Sequence, residues 1–154
     1  MGYRGGMSQS ERLVHATPAD VSAVLADGWS YAGWVVGAAR IRSVDDGFPA
    51  PGTSIHHSVG VWPLLVNDVT TVEEFEYGER LVIKVRVWPA GAGRVEFIMT
   101  TDPEGCLLVM REEAIDGPAG LLPAAVLDPV LHWRNNETLR RLAYLAESRV
   151  PSHR

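Results

Sequence analysis

Cys106 is the only cysteine in a chain of 154 residues. An internal disulfide is thereby excluded, as is any zinc site built on cysteine. Cys106 is expected to pack in a strand as a small hydrophobe. Lysine is as scarce: Lys84 stands alone, and arginine supplies the other fixed cations. No Lys/Arg run occurs and the net charge is −5, which removes the electrostatic footprint of a nucleic-acid binder. No apolar stretch approaches the ~20 residues of a membrane span, and the N-terminus carries no signal-peptide core. The expected location is cytoplasmic. Also missing are a P-loop, a G-x-G-x-x-G after a strand, a G-x-S-x-G elbow and an H-E-x-x-H helix. His15, His132 and His153 have no ligand spacing, and the adjacent His56 and His57 diverge on a strand, so no metal is expected. Nor does any motif ask for a cofactor.

What is present suits one globular domain: 46% hydrophobic and 21% charged residues. Residues 1–9 are Gly-rich and polar, and are expected to form a disordered lead-in. Residues 10–149 are expected to form the domain, and 150–154 a solvated tail. A first strand is expected over 12–16. Thr17 then reads as an N-cap, with Pro18 at N1 and Asp20 in the first turn of a helix running to about Asp27. Gly28 is expected to end that helix, and a second short helical turn is expected over 29–34. Strands follow over 38–44, 53–62, 66–76, 80–88, 94–101 and 106–115, joined by Gly- and Pro-containing turns.

Residues 121–149 read as one long helix. Leu122, Val126, Val130 and Trp133 lie on one side at 100° per residue. Leu139, Leu142, Leu145 and Ala146 lie roughly a third of a turn away, with Pro129 near the change of face. The first half is expected over the sheet, leaving room there, and the second half docked elsewhere. Strands grouped apart from helices mean α+β. The later strands have no crossover helices between them, so they form an antiparallel meander. Seven twisted strands would curl, and the long helix would fill the concave side.

Several local patterns then occur in order: the strand followed by Thr17-Pro18-Ala19-Asp20, Trp34 after the second helix, Pro51-Gly52-Thr53 before a strand, Glu79-Arg80-Leu81 opening another, and Arg134-Asn135 followed by Leu139 and Leu142. On these the chain resembles the START-like, helix-grip (SRPBCC) superfamily, in particular its bacterial polyketide cyclase/dehydrase type, over about residues 11–147. The resemblance implies a helix-grip fold with a cavity between sheet and long helix. Its members include binders of lipids, steroids, hormones or polyketides, and some cyclases or dehydratases, so one chemistry does not follow from the fold.

Strand alternation supplies the candidate site. The apolar rows Leu81, Ile83, Val85, Val87 and Val95, Phe97, Met99 are expected to face inward. On the last strand two registers compete. The inward choice is Cys106, Leu108, Met110 and Glu112, since Arg111 and Glu113 then pair with charges such as Arg94 or Glu96 outside. Glu112 in an apolar cavity would be a general acid or base with a raised pKa; the plainer alternative is a salt bridge, with Arg134 as a partner. His57 is the inward member of its pair if Ile55, Val59 and Val61 mark the inner face. It would polarise a carbonyl or move a proton, or else serve as a hydrogen-bonded core residue. Expected ligand-binding walls are Trp34, Trp62, Val85, Phe97, Met99, Met110, Val126, Val130 and Trp133, with Asn136 offering a hydrogen bond from the long helix.

The leading expectation is therefore binding of a small, mainly hydrophobic ligand (lipid, polyketide or aromatic) between sheet and helix. A polyketide cyclase or dehydratase using His57 or Glu112 is the alternative. A non-catalytic interaction protein with a filled core is the third. An exposed strand edge would offer a route to a homodimer.

Overall fold

The computed structural model describes residues 8–36, 38–61, 63–87, 91–116 and 124–149. Strand β1 spans Ser8–Val14. It starts four residues earlier than the sequence pattern suggests, inside the expected lead-in, because Ser8 to Val14 pair in unbroken register with the last strand. Helix α1 spans Pro18–Ala26 and opens with a capping box. The Thr17 hydroxyl accepts from the Asp20 backbone N–H at 3.1 Å, and the Asp20 carboxylate accepts from the Thr17 N–H at 3.0 Å. Its buried face is Val21, Ser22, Val24 and Leu25.

Asp27, not Gly28, caps α1, and Gly28 begins a 3-10 turn over Gly28–Ser30. The glycine is required for space and not for a left-handed backbone: a Cβ there would lie 2.7 Å from the Val44 side chain. Helix α2, Tyr31–Trp34, follows directly.

Strands β2 (Ala38–Val44), β3 (Ser54–Val61), β4 (Leu64–Glu76), β5 (Arg80–Val87), β6 (Gly91–Asp102) and β7 (Gly105–Asp116) then form an antiparallel meander. The sheet order is β1-β7-β6-β5-β4-β3-β2. Helices α1 and α2 thus lead the chain from one sheet edge to the other. Irregularities in register bend the strands. In β2 they fall between Ala38 and Arg40 and between Ile41 and Ser43, so Ala38, Ile41 and Val44 stand opposite the inward residues Val59, His57 and Ile55. In β4 an extra residue at Glu73 keeps Val72 and Phe75 both facing Ile83 and Leu81 of the inner layer. Each bulge adds twist and curvature, which lets seven strands wrap a helix.

The last helix, α3, spans Ala124–Glu147. Among its described side chains, the buried ones are Asn135, Thr138, Leu139, Leu142, Ala143 and Ala146. Their spacing is one amphipathic stripe at i, i+3, i+4, i+7, i+8 and i+11. This face packs on β1, α1 and α2. Glu147 anchors the far end by accepting from the His15 N–H at 3.0 Å. The second half of the helix thus docks through Leu139, Leu142 and Ala146, as its apolar residues suggest, whereas Val130 and Trp133 of the expected first-half stripe do not face the sheet. Val130 and Trp133 are 61% and 64% exposed. Trp133 lies about 160° around the helix from Asn135, so an apolar side chain is outside and a polar one inside.

The convex face of the sheet is charged. Arg80 bridges Glu74 and Glu96, Arg111 reaches Glu96 at 3.4 Å, and Arg94 pairs with Glu73 at 2.7 Å. Arg111 and Glu113 are exposed while Cys106, Leu108 and Met110 are buried, so β7 takes the expected inward row. No helix among the described residues is long and apolar enough to cross a membrane.

Candidate functional site

A cavity of about 110 Å³ lies between the sheet, α2 and the middle of α3. Its walls come from every strand except β1. Ile83 and Val85 (β5), Val95 and Phe97 (β6) and Met110 (β7) form the apolar floor, and Trp34 with Val35 and Val36 closes one side. Arg134 and Thr138 are the contribution of α3. The lining runs from buried Trp34, Phe97 and Ile83 to half-buried Val35, Val36 and Ala38 and exposed Arg86, so the cavity opens beside that rim. Apolar cavities of about 150 Å³ accept a benzene-sized molecule; at about 110 Å³ this one is somewhat smaller.

Three aromatic rings set the shape. Tyr31 meets Trp34 edge-on with centroids 5.0 Å apart, and Trp34 meets Phe97 edge-on at 5.7 Å. Such edge-to-face contacts fix ring orientation. The imidazole of His57 lies 5.2 Å from the Tyr31 ring, tilted by 40°.

The polar groups form a chain. The Thr70 hydroxyl lies 2.8 Å from Tyr31 Oη and 3.0 Å from His57 Nε2. Each hydroxyl has one proton to give and lone pairs to accept. Two arrangements are therefore self-consistent: protons point from Tyr31 through Thr70 to His57 Nε2, or from His57 Nε2 through Thr70 to Tyr31. His57 Nδ1 is buried and has no hydrogen-bond partner among the described residues, and the same holds for Trp34 Nε1 and Asp68 Oδ2. Asp68 stands directly opposite His57 in the β3–β4 register, hence on the same face of the sheet.

Burial pushes the His57 pKa below its ordinary value; the nearby Asp68 charge opposes this, and Arg42 and His56 add to it. Burial likewise pushes the Tyr31 phenol up to about 12, against the pull of its bond to Thr70. Both rings are thus neutral around pH 7. The other member of the histidine pair, His56, points to the opposite face and meets Asp45 at 3.0 Å.

Glu112 also lines the cavity, but Arg134 Nη2 holds both of its carboxylate oxygens. Of the two arrangements the sequence leaves open, the ion pair is the one found. The lone pairs that a general base would offer are committed to a fixed cation.

Of the candidate residues, His57, Glu112, Trp34, Val85, Phe97 and Met110 come together in this cavity. Met99 does not line it; it is buried in the core. Val130 and Trp133 point to solvent, and Asn136 is exposed while its neighbour Asn135 is fully buried. The helix phase set by Asn135 and Thr138 turns all three away. Trp62 lies outside the described residues, as does the side chain of Val126. The sequence reading left out Thr70 and Asp68. Their signal was the inward row Asp68, Thr70, Val72 of β4, where two polar residues stand in line with a buried valine. Among the described residues no group of His, Cys, Asp or Glu could hold a metal ion.

The profile of the family described as "Polyketide cyclase / dehydrase and lipid transport" matches residues 8–147. No curated protein matches the sequence. Among solved structures, protein CV1439 from Chromobacterium violaceum is similar with a TM-score of 0.69 and 18% identity, over 92% of this chain and 98% of that one. Protein NE0264 from Nitrosomonas europaea has a TM-score of 0.73 and 13% identity, over 92% of this chain and 94% of its own. The di-domain ARO/CYC StfQ from the steffimycin biosynthetic pathway has a TM-score of 0.73 and 16% identity. The match covers 93% of this chain and 51% of StfQ, so this chain corresponds to about half of that protein. At these identities the likeness is one of fold.

Proposed function

The chain belongs to the polyketide cyclase/dehydrase and lipid-transport family, and on that premise we propose that it binds a small, mainly apolar molecule (a lipid, polyketide or aromatic compound) in the cavity between sheet, α2 and α3. One observation carries this reading. Apolar side chains from β5, β6 and β7 surround a space of about 110 Å³, flanked by His57 and Thr70 of β3 and β4 on one side and by Glu112 and Arg134 of β7 and α3 on the other. A filled core, the third possibility raised by the sequence, is disfavoured by that space. In this reading residues 8–149 work as one cytoplasmic domain, two residues longer at the start than the sequence suggests.

Binding is tested by thermal unfolding with fatty acids, sterols and aromatic polyketides. A ligand at about 100 times its Kd adds roughly 2.7 kcal/mol, about 5–11 °C for a domain of this size. Val85→Phe, which projects a ring into the cavity, should abolish the shift. No shift across the panel, or a shift unaffected by Val85→Phe, would contradict the reading.

The His57–Thr70–Tyr31 chain supports a second reading, catalysis of an intramolecular aldol cyclisation or dehydration. His57, neutral at working pH, would take a proton from the carbon between two carbonyls. The resulting enolate carbon would attack a carbonyl further along the same chain, and Tyr31 or the protonated His57 would return a proton to the new alkoxide. Removal of a second proton from the adjacent carbon by neutral His57, with departure of the hydroxyl as water on receiving that proton, would form the double bond and complete a dehydration. His57, rather than the ion-paired Glu112, carries the acid–base role here. The test is turnover of a poly-β-carbonyl substrate by His57→Ala with its fold intact; an unchanged rate would remove His57 from the role.

A further inference from the structure

We infer that Asp68 is a positioning residue: it holds neutral His57 with its proton on Nδ1, and so directs the polar chain from Tyr31 through Thr70 to a bare Nε2. Its consequence for turnover rests on the catalytic reading; the tautomer itself depends on no ligand.

His57 Nδ1 and Asp68 Oδ2 are both buried without a hydrogen-bond partner among the described residues. Both atoms are sealed from solvent and from the cavity, so what satisfies them belongs to the protein itself. The β3–β4 register sets the two residues directly opposite each other. Such pairs share a face of the sheet, with Cβ atoms about 4.5–5.5 Å apart. Nε2, at the far end of the imidazole, reaches Thr70 at 3.0 Å. Nδ1, bonded to Cγ, is the nitrogen nearer the strand pair from which Asp68 rises. On Asp68 the other oxygen, Oδ1, accepts from the Val69 N–H at 2.7 Å, which leaves Oδ2 as the unspent acceptor. The backbone already opposes the two groups, so joining them takes rotation about side-chain bonds alone.

The other candidates fit less well. Of the remaining sealed side-chain atoms without a partner, Trp34 Nε1 is a donor and cannot accept, and Ser10 and Asn135 belong to β1 and α3. Arg42 spends its Nη2 on the main-chain oxygens of His57 and Asp68, at 3.4 Å each. After burial, the Asp68 charge is the largest influence on the His57 pKa, ahead of Arg42 and His56. That charge discriminates between the tautomers. With the proton on Nδ1, an N–H meets the carboxylate; with the proton on Nε2, a lone pair meets it and both atoms stay unsatisfied. A charged acceptor favours the first by at least about tenfold. Of the two proton arrangements open to the chain, this selects the one running from Tyr31 to His57. Nε2 is then the basic atom, and Asp68 stabilises the imidazolium once a proton arrives there.

The test uses the full chain with nitrogen-15 in its histidines, in mildly alkaline buffer where His57 is neutral. Long-range proton–nitrogen spectra separate protonated from bare ring nitrogens, and the His57 signals are assigned by their loss in His57→Gln. His57 is expected as the Nδ1–H tautomer, favoured at least about tenfold. Asp68→Asn keeps the shape and removes the charge, and that preference should fall about tenfold or more. A role in packing alone would move the melting temperature and leave the tautomer where it is. With a poly-β-carbonyl substrate, Asp68→Asn should lower kcat about tenfold and leave KM nearly unchanged, since Asp68 touches no ligand. A His57 proton found on Nε2 in the unaltered protein overturns the inference, whether or not Asp68→Asn folds. An Nδ1–H tautomer that Asp68→Asn leaves untouched overturns the role of Asp68. If His57→Ala does not slow turnover while the tautomer responds to Asp68→Asn, the catalytic reading fails and the inference stands.

Discussion

Leu142→Ala and Trp133→Ala, two truncations in one helix, separate the observed grip from the one that hydrophobicity alone suggests. Leu142 is fully buried among residues from β1, α1 and the sheet. Its truncation removes three heavy atoms and leaves a space its neighbours only partly fill. Changes of this kind cost about 2–5 kcal/mol, and about 3 is expected here. For a domain of this length each kcal/mol moves the melting temperature by about 2–4 °C, giving a fall of roughly 6–12 °C. Trp133 is the larger and more hydrophobic side chain, but it is 64% exposed. Its truncation should stay within about 0.5 kcal/mol, or 1–2 °C. Circular dichroism melts and urea midpoints on the two variants measure both. If Trp133→Ala destabilises as much as Leu142→Ala, the first half of α3 is gripped by the sheet, and the cavity has been placed against the wrong part of the helix.

Gly105 has φ +145°, and a Cβ there would lie 2.2 Å from the Val14 carbonyl oxygen. Gly105→Ala must push β1 away from the β6–β7 hairpin and should cost at least about 3 kcal/mol; unchanged urea unfolding would contradict that close approach. Because burial lowers the His57 pKa below its ordinary 6.5, the unfolded chain takes up this proton at higher pH than the folded one. The stability that depends on a neutral His57 is fully present above pH 6.5 and is lost as the pH falls from there toward the folded pKa. The urea midpoint should therefore drop on mild acidification, and His57→Gln should flatten that slope. A slope unaltered by the substitution would assign the acid sensitivity to other groups.

Much of the sheet was legible because alternation is a strong local signal. The inward row of β7 followed from the charges of Arg111 and Glu113, which demanded solvent, and the structure has the same row. The capping box at Thr17 and Asp20 was equally local. What escaped was the phase of α3. Its apolar side chains divide between two faces; the stripe of Leu139, Leu142 and Ala146 is buried and is continued by the polar Asn135 and Thr138, so the first-half stripe of Val130 and Trp133 is the one that hydrophobicity misplaced. The expectation that Asn136 faces a ligand rested on the Trp133 side of the helix, which is exposed. In β2 the spacing of inward residues is three, not two, because of register shifts that no residue pattern announced. Thr70 went unnoticed because a threonine in a strand is ordinary; only its place between Tyr31 and His57, 39 and 13 residues away, makes it the link of a polar chain. Its place beside His57 comes from the β3–β4 register, in which His57 faces Asp68, two residues away from Thr70, and a register between strands is not written in either strand alone.

The most direct measurement is where a ring-sized molecule sits. With carbon-13-labelled methyl groups, intermolecular nuclear Overhauser effects from bound acetophenone should reach the Met110 methyl and the Val85 methyls on the cavity floor. Contacts to the Val130 methyls instead, or none at Met110, would contradict a site enclosed by the sheet, α2 and the middle of α3.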